Sequence, residues 1–299
     1  MWLICALLSF ACWGTADLFY KIGNYDNGEY NHIKTGIFVG LVMGIHAFIY
    51  LIINHVDVNI VDIIKYLPVS LCYISSMVIG YRGLKYLELS ISSPVQNTSG
   101  VITAILLLIF FKETLAIPAY IAFVLIFIGI VYISYLEIQE NKEKRLAYKK
   151  NNTKEKVIIL TILFPLVYCL IDGAGTFFDA IYLDKLEIIS EDAALVAYEL
   201  TFAIYAFISM IYLKTKKQTI KISKEKTKIF ASIFETAGQF FYVYAMSGNS
   251  VISAPIVGSY CILSMILSRI FLKEKLTKKE YTGIFLVIIG IVILSILDI

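Results

Sequence analysis

The sequence predicts an all-α integral membrane protein with ten transmembrane helices, arranged as two inverted five-helix repeats. Of its 299 residues, 59% are hydrophobic and only 16% are charged, whereas about a quarter of a soluble domain is charged. Segments Ser90–Leu136 and Val251–Leu297 align without a gap, and 18 of the 47 aligned pairs are identical. A repeat of this kind in so apolar a chain indicates a duplicated membrane bundle.

Ten segments have the roughly 20 apolar residues that a helix needs to cross a bilayer. The first five form the predicted first repeat, 1–136, and the last five form the second, 157–299, with a basic cytoplasmic linker, 137–156, between them. The first segment is not predicted to be a cleaved signal peptide, because it has no basic n-region. In chain order the segments are Trp2–Tyr20, Ile33–Ile53, Tyr66–Leu84, Ser90–Phe111, Leu115–Leu136, Val157–Ala180, Ala193–Leu213, Ile229–Met246, Val251–Leu272 and Tyr281–Leu297.

The charges of the loops predict the orientation, because Lys and Arg stay on the cytoplasmic side of a membrane. Alternate loops hold 23 of the 26 basic residues, and the opposite face has only Lys65, Lys112 and Lys185. That face also carries an acidic cluster between Asp184 and Asp192. We therefore expect a multi-pass plasma-membrane protein with both termini outside, whose basic loops contact anionic lipid rather than nucleic acid. Five helices is an odd number, so the repeats must be inverted.

Polar and aromatic side chains recur at three- and four-residue spacing inside several segments, so they share helix faces. In segment 6, for example, Asp172 lies on one stripe with Thr176 and Asp179. An Asp charge at a helix centre costs roughly 2.5–3.5 kcal/mol, so such acids should face a wet cavity or a partner. The predicted substrate-binding residues are Trp13, Asp17, Tyr81, Asn97, Tyr168, Asp172, Glu199, Glu235, Gln239 and Tyr242.

A cavity lined by acids and aromatic rings suits a cation, through charge and the ring quadrupole. Carboxyl groups that lose water take up protons more readily, so Asp17, Asp172 and Glu235 are also candidates for proton coupling. Alternatively, some of these acids pair with basic residues near the helix ends, and most of the tyrosines pack or lie at the interface. His46, in the middle of segment 2, is more simply a helix–helix hydrogen bonder than a proton relay.

Two prolines at equivalent positions of the repeat, Pro94 and Pro255, are hinge candidates, because proline bends a helix. The alternative is an ordinary helix start with proline in the first turn. Gly129 and Gly290 lie in the sequence Ile-Gly-Ile-Val of segments 5 and 10. These two segments are otherwise apolar, so they are expected to pack closely as a scaffold or to form the face of a homodimer.

Several short motifs mark both halves: Ala-Cys-Trp-Gly at 11–14, the Ser-Ser-Pro and Ser-Ala-Pro starts of segments 4 and 9, the Lys-Glu turns that follow them, and the Ile-Gly-Ile-Val helices. Together they resemble the drug/metabolite transporter superfamily, EamA type. The resemblance spans both halves of the chain. It implies ten helices in two inverted repeats, a central cavity, peripheral helices 5 and 10, and alternating access. Many relatives keep their termini in the cytoplasm, whereas the charges here predict the reverse.

The leading hypothesis is a secondary transporter that moves a small polar metabolite by alternating access, with proton coupling and a cationic or zwitterionic amine favoured. One alternative is a uniporter or symporter of a neutral solute such as a sugar, and another is a membrane receptor or scaffold that transports nothing. No HExxH or GxGD motif accompanies the buried acids, so no enzyme activity is predicted. We also predict no cofactor and no metal site, because no cysteines or histidines lie at ligand spacing.

Overall fold

The computed structural model describes residues 1–24, 28–84, 96, 98–112, 115–149, 155–274 and 276–297, and these residues form helices joined by short turns. Short π-helical turns follow two of the helices, at Ile181–Lys185 and Ser268–Leu272. The helices are Trp2–Asn24 (α1), Asn31–Asn54 (α2), Ile60–Gly83 (α3), Thr98–Phe111 (α4), Ile117–Lys149 (α5), Glu155–Ala180 (α6), Glu191–Thr215 (α7), Lys226–Gly258 (α8), Cys261–Leu267 (α9) and Lys278–Leu297 (α10).

Five helical stretches within the described residues are long and apolar enough to cross a membrane. Two shorter apolar helices, Thr98–Phe111 and Ile117–Ile133, accompany them. The five stretches are Trp2–Asn24, Asn31–Asn54, Ile60–Gly83, Glu191–Thr215 and Lys226–Leu272. An all-helical membrane fold, as the sequence predicts, is therefore confirmed.

The predicted segments 8 and 9 meet at a sharp reversal of the chain within α8. The backbone of Asn249 is non-helical, and its side chain caps the next turn by accepting a hydrogen bond from Ile252 N at 3.2 Å. Ser253 Oγ donates to Ala245 O at 2.8 Å, although eight residues of straight helix span about 12 Å. The chain therefore folds back at Asn249, and Pro255 lies in the helical stretch after the bend. Pro94 lies outside the described residues.

Burial follows the pattern of a protein in lipid rather than in water. Large apolar side chains are exposed around the outside of the bundle, such as Phe48, Phe207 and Phe285, each more than 60% exposed. Polar groups are buried inside it, and the carboxyl-bearing Asp179 and Glu199 are 0% exposed. Hydrocarbon is as apolar as these outer side chains, so in a bilayer their exposure costs nothing.

Glycines join α5 to α10 in antiparallel contact. A Cβ added to Gly129 would lie 2.6 Å from Val287 Cγ2 and 2.9 Å from the Gly283 carbonyl oxygen. A Cβ on Gly290 would lie 2.6 Å from Ile126 Cγ1. These glycines let the two backbones approach closely. The predicted packing role of the repeated Ile-Gly-Ile-Val sequence thus has a direct structural counterpart.

Other details of the repeat appear in the backbone. Lys112 and Lys273 occupy equivalent positions, and both adopt the left-handed conformation after an apolar helix, with φ of 51° and 58°. Their shared conformation matches their shared sequence. Residues 137–149 of the predicted linker are helical, since α5 continues to Lys149. Its Lys- and Glu-rich sequence favours helix, which explains the continuation.

Candidate functional site: an acidic, aromatic cavity

A cavity of about 800 Å³, open solvent included, lies between the helices of both halves. Side chains from α1, α3, α4, α6, α7 and α8 reach it. The lining residues include eight of the predicted binding residues: Trp13, Asp17, Tyr81, Tyr168, Asp172, Glu235, Gln239 and Tyr242. Of the other two predicted residues, Glu199 lies elsewhere and Asn97 falls outside the described residues.

Glu235 from α8 forms one acidic wall of the cavity against α1. Its side chain is buried, with Tyr20 OH donating to Oε2 at 3.1 Å. The indole of Trp13 donates to the Glu235 backbone carbonyl at 3.4 Å. The part of α8 before Asn249 runs antiparallel to α1, from Lys228 beside Gly23 to Gly248 beside Trp2, so these side chains from distant parts of the sequence meet at one level.

Asp17 lies on the same helix as Trp13, one turn further along the chain. Ser264 Oγ donates to Asp17 Oδ2 at 2.8 Å, and it also lies 3.4 Å from the Gly14 carbonyl oxygen. A Cβ on Gly14 would lie 2.8 Å from the Leu263 side chain. Glycine therefore permits the close helix contact that brings the serine to the acid.

Asp172 from α6 forms a second acidic wall of the cavity. Ser99 Oγ donates to Oδ2 at 2.8 Å and Ser76 Oγ to Oδ1 at 3.3 Å. Ser99 from α4 is therefore the close donor, whereas Ser76 from α3 shares its single hydrogen with the Tyr73 carbonyl oxygen at 2.9 Å. Gly80 of α3 faces the ring of Tyr168, where a Cβ would lie 2.9 Å from the ring carbons. The small residue makes room for the aromatic wall beside the acid.

Aromatic rings cluster around the acids. The Trp13 indole lies 4.9 Å from the Tyr242 ring and 5.9 Å from the Tyr260 ring, measured between centroids. A Cβ at Gly238 would collide with the indole, so this glycine fixes where the ring can lie. A cation that lies within about 6 Å of such a ring centroid is attracted by the electron-rich face of the ring.

The charge of the lining is one-sided. Three carboxyl side chains line the cavity, and no Lys, Arg or His does so within the described part of the chain. Gln239 Nε2 is buried and has no hydrogen-bond partner among these residues. A buried donor without a partner costs about 1–3 kcal/mol, so a ligand that accepts its hydrogen bond would remove this cost. Among the described residues no group of three His, Cys, Asp or Glu side chains could hold a metal ion.

Glu199 occupies a separate site between α2 and α7. His46 Nδ1 lies 2.8 Å from Oε1 and 2.9 Å from Oε2. The helices approach closely there, because a Cβ on Gly44 would lie 2.8 Å from Ala203 Cβ. Glu199 therefore faces its histidine partner rather than the cavity, which the adjacent Tyr198 reaches instead. This contact is the helix–helix hydrogen bond predicted for His46.

The structure adds lining residues that sequence reasoning missed. Tyr20 lies three residues after Asp17 on α1, so its helical spacing could have revealed it. Thr176 lies on the predicted stripe of Asp172. The others contribute aromatic or hydroxyl groups whose helical faces have no distinctive pattern in this tyrosine-rich chain. They are Tyr73, Tyr198, Ser99 and Tyr260.

Comparison with known proteins decides the family. The EamA-like transporter family matches residues 1–135 and 159–296. The chain belongs to this family. The match covers both halves and leaves out only the joining stretch and the last residues. The protein is accordingly a membrane transporter of the drug/metabolite class, and its family is one of transporters rather than enzymes.

Two further similarities agree with this assignment. The chain is 30% identical over 146 residues to an uncharacterized protein, MJ1333.1, of Methanocaldococcus jannaschii, an alignment that covers 48% of this chain and 98% of that protein. A protein of known crystal structure superposes with a TM-score of 0.68 and 10% identity, covering 98% of this chain and 96% of the other. The second similarity concerns the fold alone.

Proposed function

We propose that this protein is a secondary transporter that binds a small organic cation, with a quaternary or protonated amine favoured, and moves it by alternating access. The observation that carries the proposal is a cavity with three carboxyl groups and a cluster of aromatic rings, and no basic lining side chain among the described residues. Carboxylates attract the positive charge, and the electron-rich faces of the aromatic rings attract the same cation. A cationic headgroup would also replace water that the acids otherwise need.

Ten membrane crossings in two inverted repeats form part of the same proposal. The repeated helices α5 and α10 contact each other antiparallel, and the contact of Gly129 with Gly283 has an equivalent in that of Gly290 with Ala122. A two-fold axis that relates two antiparallel helices is perpendicular to them. If these helices cross the bilayer, that axis lies in the membrane plane, as it does for inverted repeats.

The predicted orientation is supported by the grouping of charges. Trp2 lies against Gly248 at the same end of the bundle as the acidic residues Asp184 and Asp192. At the other end Glu225 bonds Lys228 and Lys34. The basic end would face the cytoplasm and both termini the outside of the plasma membrane.

The test is ligand binding followed by uptake. Choline and tetramethylammonium should raise the melting temperature of the purified protein in detergent, because a ligand that binds the native state stabilises it by mass action. Labelled choline should then enter proteoliposomes faster than it enters empty liposomes. Stabilisation by neutral probes such as sorbitol, with none by either cation, would contradict the proposal.

A neutral solute is the second candidate, favoured by the unpartnered Gln239 Nε2 and the tyrosine hydroxyls of the lining. These groups could hydrogen-bond sugar hydroxyls. Under this alternative, the substitution Glu235→Gln would leave sorbitol stabilisation unchanged, whereas Gln239→Ala would reduce it.

A further inference from the structure

One buried carboxyl group lies next to the cavity without lining it. Asp179 is 0% exposed and follows the lining residue Thr176 on α6. Tyr66 of α3, also 0% exposed, donates a hydrogen bond to Asp179 Oδ1. The other oxygen, Oδ2, is buried and accepts no hydrogen bond from any described residue. Oδ2 therefore lacks a hydrogen-bond donor within the described part of the chain.

The hydroxyl groups beside Asp179 are committed to one another. Thr176 Oγ1 donates to the Asp172 carbonyl at 2.9 Å, and Tyr73 OH donates to Thr176 Oγ1 at 3.2 Å. Tyr73 and Tyr242 share a hydrogen bond of 2.7 Å, for which Tyr242 supplies the hydrogen once Tyr73 has used its own. Each hydroxyl has a single hydrogen to donate, so none of the three remains for Asp179 Oδ2.

A proton on Oδ2 completes this network. A protonated carboxyl donates one hydrogen bond, and Tyr242 OH, which gives its own hydrogen to Tyr73 OH, keeps oxygen lone pairs that can accept it. The neutral acid also avoids the cost of a charge cut off from water. The hydroxyls then form a continuous path from Asp179 to the cavity, since Tyr73, Tyr242 and Thr176 all line it.

No described cation is placed to neutralise Asp179 instead. Lys185, on the turn after α6, lies 2.9 Å from Asp184, which itself accepts hydrogen bonds from Ser250 N and Oγ. The titratable groups that face Asp179 or its partner Tyr66 from the packed elements are tyrosines: Tyr66 and Tyr73 from α3, Tyr242 from α8, Tyr198 from α7 and Tyr182 from the π-helical turn.

The residues around Asp179 close this end of the cavity. We name them the sealed end; all are at most 4% exposed, and they are Tyr66, Asp179, Ala180, Leu183 and Tyr198. The π-helical turn Ile181–Lys185 begins immediately after Ala180, and such turns in helices are frequent at functional sites. An ionised Asp179 would require water here, whereas a protonated one lets the helices remain packed.

We propose that Asp179 is a proton-binding site of the transport cycle, separate from the cation-binding acids, and that its proton holds the sealed end closed. The proton binds Oδ2 from water when α3 and α6 are apart at this end. It leaves by successive transfers through the hydroxyls of Tyr242, Tyr73 and Thr176, each hydroxyl taking one proton and giving up its own, and the last proton passes from Thr176, which lines the cavity, to water there. The proposal rests on the proposed transport function for its role in the cycle, but its test needs no substrate.

The test measures how pH opens the sealed end. Ala180→Cys is introduced into a protein whose five native cysteines are replaced by alanine, and its reaction with a water-soluble maleimide is timed from pH 5 to pH 9. The same cysteine in an Asp179→Asn protein is the control. Ordinary ionisation of the thiol occurs in both proteins, and asparagine imitates the protonated acid at every pH. The rate with Asp179 is divided by the rate with Asp179→Asn. If the open state binds one proton fewer, this ratio rises by up to about tenfold per pH unit above a midpoint.

An equal ratio at every pH would overturn the proposal. Glu199→Gln is the matched control, since this acid is also 0% exposed but belongs to another network, and it should leave the profile unchanged. Tyr66→Phe provides a second test should Asp179→Asn not fold. It removes the donor to the ionised carboxylate, so the midpoint should move to higher pH, and an unmoved midpoint would also count against the site. If the pH profile is as expected but the protein binds no cation, the proposed transport function is refuted and the proton site at Asp179 is not.

Discussion

Glu199 and Glu235 lie on successive helices of the second repeat, and both are nearly inaccessible to solvent. Their surroundings differ. Glu199 has both oxygens within 2.9 Å of His46 Nδ1, so its charge has a partner inside the protein. Glu235 receives a hydroxyl hydrogen bond from Tyr20 and otherwise faces the cavity. Both acids are therefore buried, and the partner of each acid is what distinguishes a structural acid from one that can bind a ligand.

The difference shows what a buried carboxyl group needs. An acid that contacts a histidine through both of its oxygens is satisfied by the fold, and its substitution affects stability. An acid supported only by neutral donors leaves its charge to be balanced from outside the protein, by a proton or a cation. This distinction leads to four predictions, in order of decreasing effect.

Glu235→Gln should weaken choline binding by about 100-fold, because losing one partner of a buried charge pair costs about 2–5 kcal/mol. Glu199→Gln should leave choline binding within a factor of two. Thermal-shift titrations of the two variants measure both effects. Equal losses from both substitutions would show that the difference in partner has no bearing on ligand binding.

His46→Ala should destabilise the protein by about 1–3 kcal/mol, because it leaves the buried Glu199 without its donor. Choline affinity should not change. The double variant with Glu199→Gln should recover part of the lost melting temperature, since a neutral amide needs the histidine less. A loss of choline binding in His46→Ala would instead connect this pair to the cavity.

Asp172→Asn should reduce choline affinity by about tenfold, less than the change at Glu235. Ser99 donates to Oδ2 at 2.8 Å and Ser76 Oγ lies 3.3 Å from Oδ1, so part of the Asp172 charge is balanced within the protein. Isothermal titration at several salt concentrations measures the loss. A larger loss of choline affinity than in Glu235→Gln would contradict the expected order of the two acids.

Trp13→Phe should weaken choline binding by two- to fivefold, since a cation–π contact is worth about 0.5–1 kcal/mol and tryptophan is its strongest partner. Trp2→Phe is the matched control, because the second tryptophan packs against Gly248 away from the cavity. Sorbitol binding should not distinguish the two variants. An equal effect of both substitutions on choline would point to general packing.

Much of this architecture could be predicted from the sequence because lipid imposes simple rules. Apolar length predicts the helices, and the repeat predicts that Lys112 and Lys273 end equivalent helices alike. Helical spacing also placed Trp13, Asp17 and Glu235 on faces that reach the cavity. The spacing could not assign Glu199, because a helix face does not reveal which neighbouring helix it meets.

The sequence by itself determined the membrane class, the duplicated halves and the supply of buried acids, because these depend on composition and on periodicity within single helices. Only the tertiary structure decided which donor each acid receives. Ser264 reaches Asp17, Tyr20 reaches Glu235 and Tyr66 reaches Asp179 across helix contacts far apart in the chain. Such pairings depend on the close approach of backbones and on side-chain volume, which local sequence patterns do not encode.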